Sequence, residues 1–296
     1  MKYSRQEILS KKTVAVVGVG TIGTVTSALV NKLGVNLILI DRDVVEIHNL
    51  ENQILYAKED VDKPKAIVAA EKLRDVNPRI KIESFCEDLT FENIDLLDKA
   101  DIVLDCTDNL ETRFLINDYC LSKNKPWIYA AGIKTKCTLM NFTGKGVCFR
   151  CIFKETTGLG TCETEGIANQ TAIAVGSLQV KNALQILVGE TVDEEMLRLD
   201  IMTSKMEKIK VQKRKDCKAC AGEYEFLEGR KGTKAIKLCG KEIYQIKETV
   251  DFNKFKKDNS YFVTIKNITL FKDGRALVKA KNEKEARSAY SKLIGN

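Results

Sequence analysis

Residues 13–43 read TVAVVGVGTIGTVTSALVNKLGVNLILIDRD. An apolar run, Thr13 to Val17, stops at Gly18, and Gly18, Gly20 and Gly23 follow in the spacing G-x-G-x-x-G. An amphipathic segment from Ile22 to Leu33 ends at Gly34, and a second apolar run, 36–41, ends in Asp41. The pattern predicts strand, tight turn, helix and strand. Glycines so placed let the backbone approach an anion at a helix N-terminus, where unpaired N–H groups face the phosphate. An acidic side chain closing the second strand can accept from ribose hydroxyls. NAD, FAD and ATP fit these features equally.

The alternation continues outward. A helix is expected from about Pro64, a strand at 80–85, a short helix at 91–98 and a strand at 101–105. A helix over 110–123 and a strand at 127–132 follow. Such alternation predicts a Rossmann-like, doubly wound, mostly parallel sheet with helices on both faces. Residues 136–151, KCTLMNFTGKGVCFRC, alternate around Gly-Lys-Gly and predict an antiparallel hairpin, the start of an antiparallel extension. Residues 154–166 read as a polar, glycine-rich loop, 168–188 as an amphipathic helix, and 196–202 and 206–212 as strands. From Glu225 the composition turns Lys-rich, which divides the chain into domains 1–224 and 225–296, the second a small α+β unit.

A chain of 296 residues with 44% hydrophobic and 30% charged residues suits a globular protein. No apolar run reaches the ~20 residues of a bilayer span. The N-terminal MKYSRQEILSKK lacks a signal peptide's apolar core, so a cytoplasmic location and no membrane partner are expected. The net charge of +7 is unevenly placed: residues 1–204 carry 24 basic and 29 acidic groups, residues 205–296 carry 24 and 12. The basic third reads either as a solvated surface or as a face for an acidic partner, protein or RNA.

Ten cysteines in an intracellular chain of this size point away from a disulfide framework. Cys148-x-x-Cys151 and Cys217-x-x-Cys220 have the spacing of two knuckles closing a tetrahedral site of four cysteines, for which Zn²⁺ in a structural role is expected. Cys86, Cys106, Cys120, Cys137 and Cys239 lie in apolar runs or at strand ends and read as core or inert thiols. His48, the only histidine, has no general-base context.

Five motifs fall in order: YSRQ (3–6), GVGTIG (18–23), DRDVVEIHNLENQ (41–53), DCTDN (105–109) and the paired CxxC units. Together they resemble the ubiquitin-activating-like adenylyltransferases of the MoeB, ThiF and HesA type, over about residues 3–222. That resemblance implies ATP as the nucleotide, over the glycine turn, with Asp41 on its ribose and Asn49, Asn52 and Gln53 along its phosphates. Lys65 would neutralise phosphate charge. Asp108 would hold Mg²⁺, with Asn109 beside it in the nucleotide site. Arg5 would reach the ATP of the other subunit of a homodimer. Cys162, in the loop before the long helix, matches a cysteine that captures the activated carboxylate or sulfur in ThiF-type members, and equally one that idles in others. The implied reaction is ATP-dependent adenylation of the C-terminal glycine carboxylate of a ubiquitin-like sulfur carrier of the ThiS or MoaD kind. It would serve thiamine, molybdopterin or tRNA-thiolation chemistry, with a sulfur donor protein as a further partner.

Asn52 stands where the family pattern, Asn-Leu-x-Arg-Gln, has arginine. Asparagine donates hydrogen bonds but brings neither charge nor a planar fork. Arg5 and Arg113 are the candidates to supply the missing charge. Two other readings are a non-catalytic carrier-binding scaffold, which Asn52 favours, and an NAD-dependent dehydrogenase. Hydride transfer has no need of Lys65, DCTDN or the cysteine pairs.

Overall fold

The structure is a computed structural model. It describes residues 2–144, 146–153, 166–231, 235–237, 243–247, 250, 252–255, 261–271 and 274–294, with backbone only for residues 2–5, 235–237, 243, 247 and 253. The chain forms two units, Met1–Lys231 and Gly232–Asn296.

Eight strands of the first unit form one sheet in the order β3-β2-β1-β4-β5-β6-β7-β8. Strands β1 (Thr13–Val17), β2 (Asn36–Ile40), β3 (Ile82–Phe85), β4 (Ile102–Asp105) and β5 (Trp127–Ile133) run parallel. Strands β6 (Lys136–Phe142), β7 (Met196–Asp200) and β8 (Lys205–Ile209) continue it antiparallel. The helices are α1 (Lys2–Leu9), α2 (Thr21–Leu33), α3 (Lys65–Val76), α4 (Leu110–Ser122), the short α5 (Phe149–Ile152) and α6 (Asn169–Leu187).

The central strands are apolar throughout because both faces are covered. Val14, Val16, Leu37, Leu39, Ile102 and Leu104 pack with apolar residues of α2, α3 and α6. Ala15, Val17, Ile38, Ile40 and Val103 face the other way, toward Phe114, Ile116 and Tyr119 of α4. Burying each large aliphatic side chain stabilises the fold by roughly 1.5–3 kcal/mol. On β8, the last strand of the sheet, Lys205, Glu207 and Lys208 are exposed, a charge pattern that discourages edge pairing.

The parallel order reverses between β1 and β4, so the loops after these two strands flank one crevice at the topological switch point. Helix α6 closes the sheet beside it. Gly176 allows close approach to α2: a Cβ there would lie 3.0 Å from Val25 Cγ1.

Among the described residues, 136–142 and 147–151 do not form the predicted hairpin about Gly-Lys-Gly. Residues 136–142 pair back onto β5 through a turn at Lys134, whose φ is +53°, and forward onto β7. Residues 149–152 are helical instead. An alternating pattern fixes which side chains share a face but not which strand pairs with which. The unit boundary also falls at 231/232, later than the change of composition at Glu225. Glu225 and Phe226 are buried within the first unit, where Arg150 binds the one and Phe114 packs on the other.

Among its described residues the second unit holds five antiparallel strands in the order β11-β12-β13-β10-β9. These are β9 (Ala235–Lys237), β10 (Ile243–Lys247), β11 (Phe262–Ile265), β12 (Ile268–Phe271) and β13 (Arg275–Lys279). Helix α7 (Glu283–Ile294) buries Ala286 and Tyr290 against Ile246, Val263, Leu270 and Val278.

The glycine turn is tight enough to test. A Cβ on Gly23 would sit 1.9 Å from Gly18 O, whereas one on Gly20 would meet only Gln53 Nε2 at 3.9 Å. Gly23→Ala is expected to destabilise the unit by about 1–3 kcal/mol, as overpacking does, and Gly20→Ala to leave it near wild type. Thermal unfolding of the two variants side by side checks this.

Candidate active site and cysteine cluster

The glycine turn is held from three sides. Gly18 has φ +86°, and a Cβ there would lie 2.8 Å from Cys106 O, so it rests on the exit of β4. Val19 N–H donates to Asp41 Oδ2 at 2.5 Å, and the Tyr56 hydroxyl donates to Val19 O at 2.7 Å. Gly20 is the N-cap residue of α2 and offers no side chain to cap it, so the first N–H groups of the helix remain available to an anion.

Asp41 closes β2, and its other oxygen accepts from Asp43 N–H at 2.8 Å. Burial pushes its carboxyl up, against the pull of Lys65. Lys65 opens α3 just after Pro64, is almost wholly buried, and stands with Nζ 3.9 Å from Asp43 Oδ2. Arg42 pairs with Asp88 at 3.4 Å. Burial lowers the affinity of Arg42 for its proton, but Asp88, Asp43, Asp108 and Asp41 outweigh it and raise it. Asp108 therefore shares the electrostatic field of the β2 carboxylates.

The turn Ile47–Glu51 carries Asn49, Asn52 and Gln53 beside the same crevice. Asn49 Oδ1 accepts from Glu46 N–H at 2.9 Å and fixes the turn. Asn52 Oδ1 and Gln53 Oε1 are buried without a hydrogen-bond partner. Buried polar atoms without partners cost about 1–3 kcal/mol each, and these two oxygens, as acceptors, call for a donor and not for a phosphate oxygen. The Nε2 of Gln53 lies 3.9 Å from where a Cβ on Gly20 would stand. The uncapped start of α2 and the buried Lys65 are what suit a phosphorylated ligand here.

The loop after β4 has its own frame, which the sequence did not reveal. Asp105, fully buried, accepts from Thr107 N–H, the Thr107 hydroxyl and Arg113 Nε at 3.0, 2.6 and 3.1 Å. Burial pushes its carboxyl up while Arg113 opposes. Arg113 also donates to Thr107 O and lies 5.0 Å from the centre of the Tyr129 ring. It is spent on shaping the loop that presents Asp108, which corrects its candidacy as a replacement for the arginine missing at Asn52. Asn109 caps α4 by accepting from Thr112 N–H at 2.8 Å. The eight-residue spacing of Asp105 and Arg113 was the one available signal. Arg5 belongs to α1, with its side chain outside the described residues, and Cys162 and Cys239 lie outside them altogether.

Cys106 is held protonated, pushed up to about 12 by burial and then by Asp105. Burial raises Cys120 as well and takes Cys137 to about 11. These thiols are inert near neutral pH. His48 is exposed beside Glu46 at 3.3 Å.

The four sulfurs of Cys148, Cys151, Cys217 and Cys220 lie within 4.8 Å of one another. Cys148 is 3.7 Å from Cys151, 3.5 Å from Cys217 and 3.4 Å from Cys220, and Cys151 is 3.5 Å from Cys220. A tetrahedral thiolate site with bonds of about 2.3 Å has edges of about 3.8 Å, so the four donors fit one ion. Burial pushes the Cys148 thiol up. Cys151 is lowered in spite of burial, because the N–H groups of Arg214 and Cys148 point at its sulfur. The cluster is braced by Arg150, which binds Asp118 at 3.2 Å and Glu225 at 2.7 Å. The hydrogen bond from Arg150, helped by Lys218, holds the Glu225 carboxyl down at about 2.

A glycine turn opening an uncapped helix at the switch point, with a buried lysine and carboxylates near it and a separate cysteine cluster, is the framework of a nucleotide-binding class of α/β protein. The chain belongs to the ThiF family, which it matches over residues 1–219, and it is an adenylyltransferase of the MoeB/ThiF type. It is 30% identical to the sulfur carrier protein ThiS adenylyltransferase of Bacillus subtilis (strain 168), over 99% of both chains. It is 33% identical to the protein of the same name from Escherichia coli (strain K12), over 75% of this chain and 95% of that one. Its fold is shared with E. coli MccB, in the crystal structure with MccA-N7isoASN, at a TM-score of 0.65 and 21% identity over 73% of this chain and 69% of that one. Among the described residues no helix is long and apolar enough to cross a membrane.

Because the thiols gather only in the folded chain, a bound ion stabilises the folded state. Elemental analysis of the reduced protein is expected to find one thiolate-bound metal per chain, and chelation to lower its melting temperature. A metal-free preparation of undiminished stability would refute the site.

Proposed function

We propose that this protein uses ATP to adenylate the C-terminal glycine carboxylate of a ubiquitin-like sulfur-carrier protein. The carboxylate oxygen attacks the α-phosphorus, the bond to the bridging oxygen breaks, and pyrophosphate leaves. The observation that supports this reading is the uncapped α2 N-terminus after the glycine turn, with Asp41 holding Val19 of that turn and the buried Lys65 close enough to act on Asp41. Two anions meet in this reaction, so the site must stabilise charge on the phosphates as pyrophosphate departs.

Each residue then has a task. Gly18, Gly20 and Gly23 bring backbone N–H groups to the phosphates. Asp41, already holding Val19, turns toward the ribose. Lys65 balances phosphate charge, and Asn49, Asn52, Gln53 and Asn109 line the nucleotide. Asp108 would hold Mg²⁺, a hard cation that supplies charge neutralisation on phosphate oxygens. Arg5 completes the site of the other subunit in a homodimer. Zn²⁺ is the ion suited to four thiolates, in a closed structural site. Cys162 would take the activated carboxylate or sulfur, and a sulfur donor protein would follow.

Asn52 supports a second reading, a scaffold that binds the carrier without adenylating it. ATP–pyrophosphate exchange with a panel of carriers ending in Gly-Gly separates the two. Mg²⁺-dependent exchange is expected, with no binding of NAD; absence of exchange with every carrier would sink the enzyme reading. An arginine on phosphate contributes roughly 1.5–3 kcal/mol, so Asn52→Arg is expected to tighten ATP about ten- to a hundredfold where no other cation fills that space.

The shared site predicts complementation. Mixing inactive Arg5→Ala and inactive Asp108→Ala chains is expected to restore roughly a quarter of the activity, since half of randomly paired dimers are mixed and each holds one intact site. No recovery despite demonstrated subunit exchange would place Arg5 outside the partner's site.

A further inference from the structure

Tyr56 lies outside the sequence motifs, yet its hydroxyl reaches two elements of the nucleotide site. It is 2.7 Å from Val19 O in the glycine turn and 3.3 Å from Lys65 O at the start of α3. The ring is buried in the core, at 7% exposure, and Val19 is fully buried. A phenol has one proton, and the shorter contact takes it. Burial, then Asp41, push the phenol well above its usual range, so it remains a donor at any working pH.

The consequence follows from peptide geometry. The peptide bonds are trans and planar, so the C=O of Val19 and the N–H of Gly20 point in opposite directions from one plane. Turning the Val19 carbonyl inward to Tyr56 turns the Gly20 N–H outward. The turn is also uncrowded at Gly20, where an added Cβ meets only Gln53 Nε2, at 3.9 Å. Asp41 grips the preceding N–H of Val19, so the two side chains fix the turn on either side of one residue.

We propose that Tyr56 is a positioning residue that sets the Val19–Gly20 peptide plane and so aims the Gly20 N–H at the nucleotide phosphates; this rests on the ATP reading above. Its contact is with the turn and not with the nucleotide. Its loss therefore weakens the grip on phosphate and leaves recognition of the nucleoside intact.

The test compares binding of Mg²⁺–ATP and of adenosine to the full chain by calorimetry. Tyr56→Phe keeps the ring and removes the hydroxyl. It is expected to weaken ATP about tenfold, the worth of one hydrogen bond to a charged group, and to leave adenosine unchanged. Placing 4-aminophenylalanine at position 56 restores an N–H donor and is expected to recover ATP affinity. Equal loss for both ligands, or a variant too unstable to bind either, assigns Tyr56 a purely structural role and overturns the proposal. Undiminished ATP binding overturns it too. A wild-type chain that binds no ATP overturns the functional reading, and this inference with it.

Discussion

The side-chain amide of Gln179 ties the first unit together. It is fully buried on α6 and uses its whole hydrogen-bonding capacity. Its nitrogen donates to Asp105 O and Ile128 O, both at 3.0 Å, and its oxygen accepts from the Thr26 hydroxyl at 2.9 Å and the Cys106 thiol at 3.3 Å. One group thereby joins α6 to β4, β5, α2 and the loop after β4. A buried amide is costly unless every donor and acceptor is matched, and matched as here it permits one docking of the helix and no other. Both loops of the nucleotide crevice take their positions from the elements so joined.

Around the glycine turn, several polar side chains hold the protein framework. Asp41 holds Val19 and Asp43, Asp105 holds Thr107 and Arg113, and Asn109 holds the first turn of α4. The carboxylates of Asp41 and Asp105 are thereby committed to the framework of the two loops. Pre-organised groups of this kind need little reorganisation when charge develops in a reaction. Asn52 Oδ1 and Gln53 Oε1 are buried without a hydrogen-bond partner.

The cysteine cluster plays the matching part for the sequence-distant segments. Cys217 and Cys220 are brought back to Cys148 and Cys151 across 69 residues. Arg150, between the first pair, reaches Asp118 and Glu225, so α4, the knuckles and the end of the unit share one ionic knot. Such a knot explains why the boundary of the unit lies at 231/232 and not where the composition changes.

The sequence by itself determined the alternation of strands and helices from residue 13 to about 132, the glycine turn, the pairing of the CxxC units and the family of the protein. These signals are local or periodic: apolar runs, capping glycines and fixed spacings reflect interactions between near neighbours. Only the tertiary structure decided the partner of residues 136–142, the inward commitment of Arg113, the clamp of Tyr56 on Val19 and the role of Gln179. Thr26 and Gln179 stand 153 positions apart, and Tyr56 and Val19 stand 37 apart. No periodicity spans such distances. A buried polar side chain finds its partner by where the packed elements place it, and that placement is a property of the whole fold.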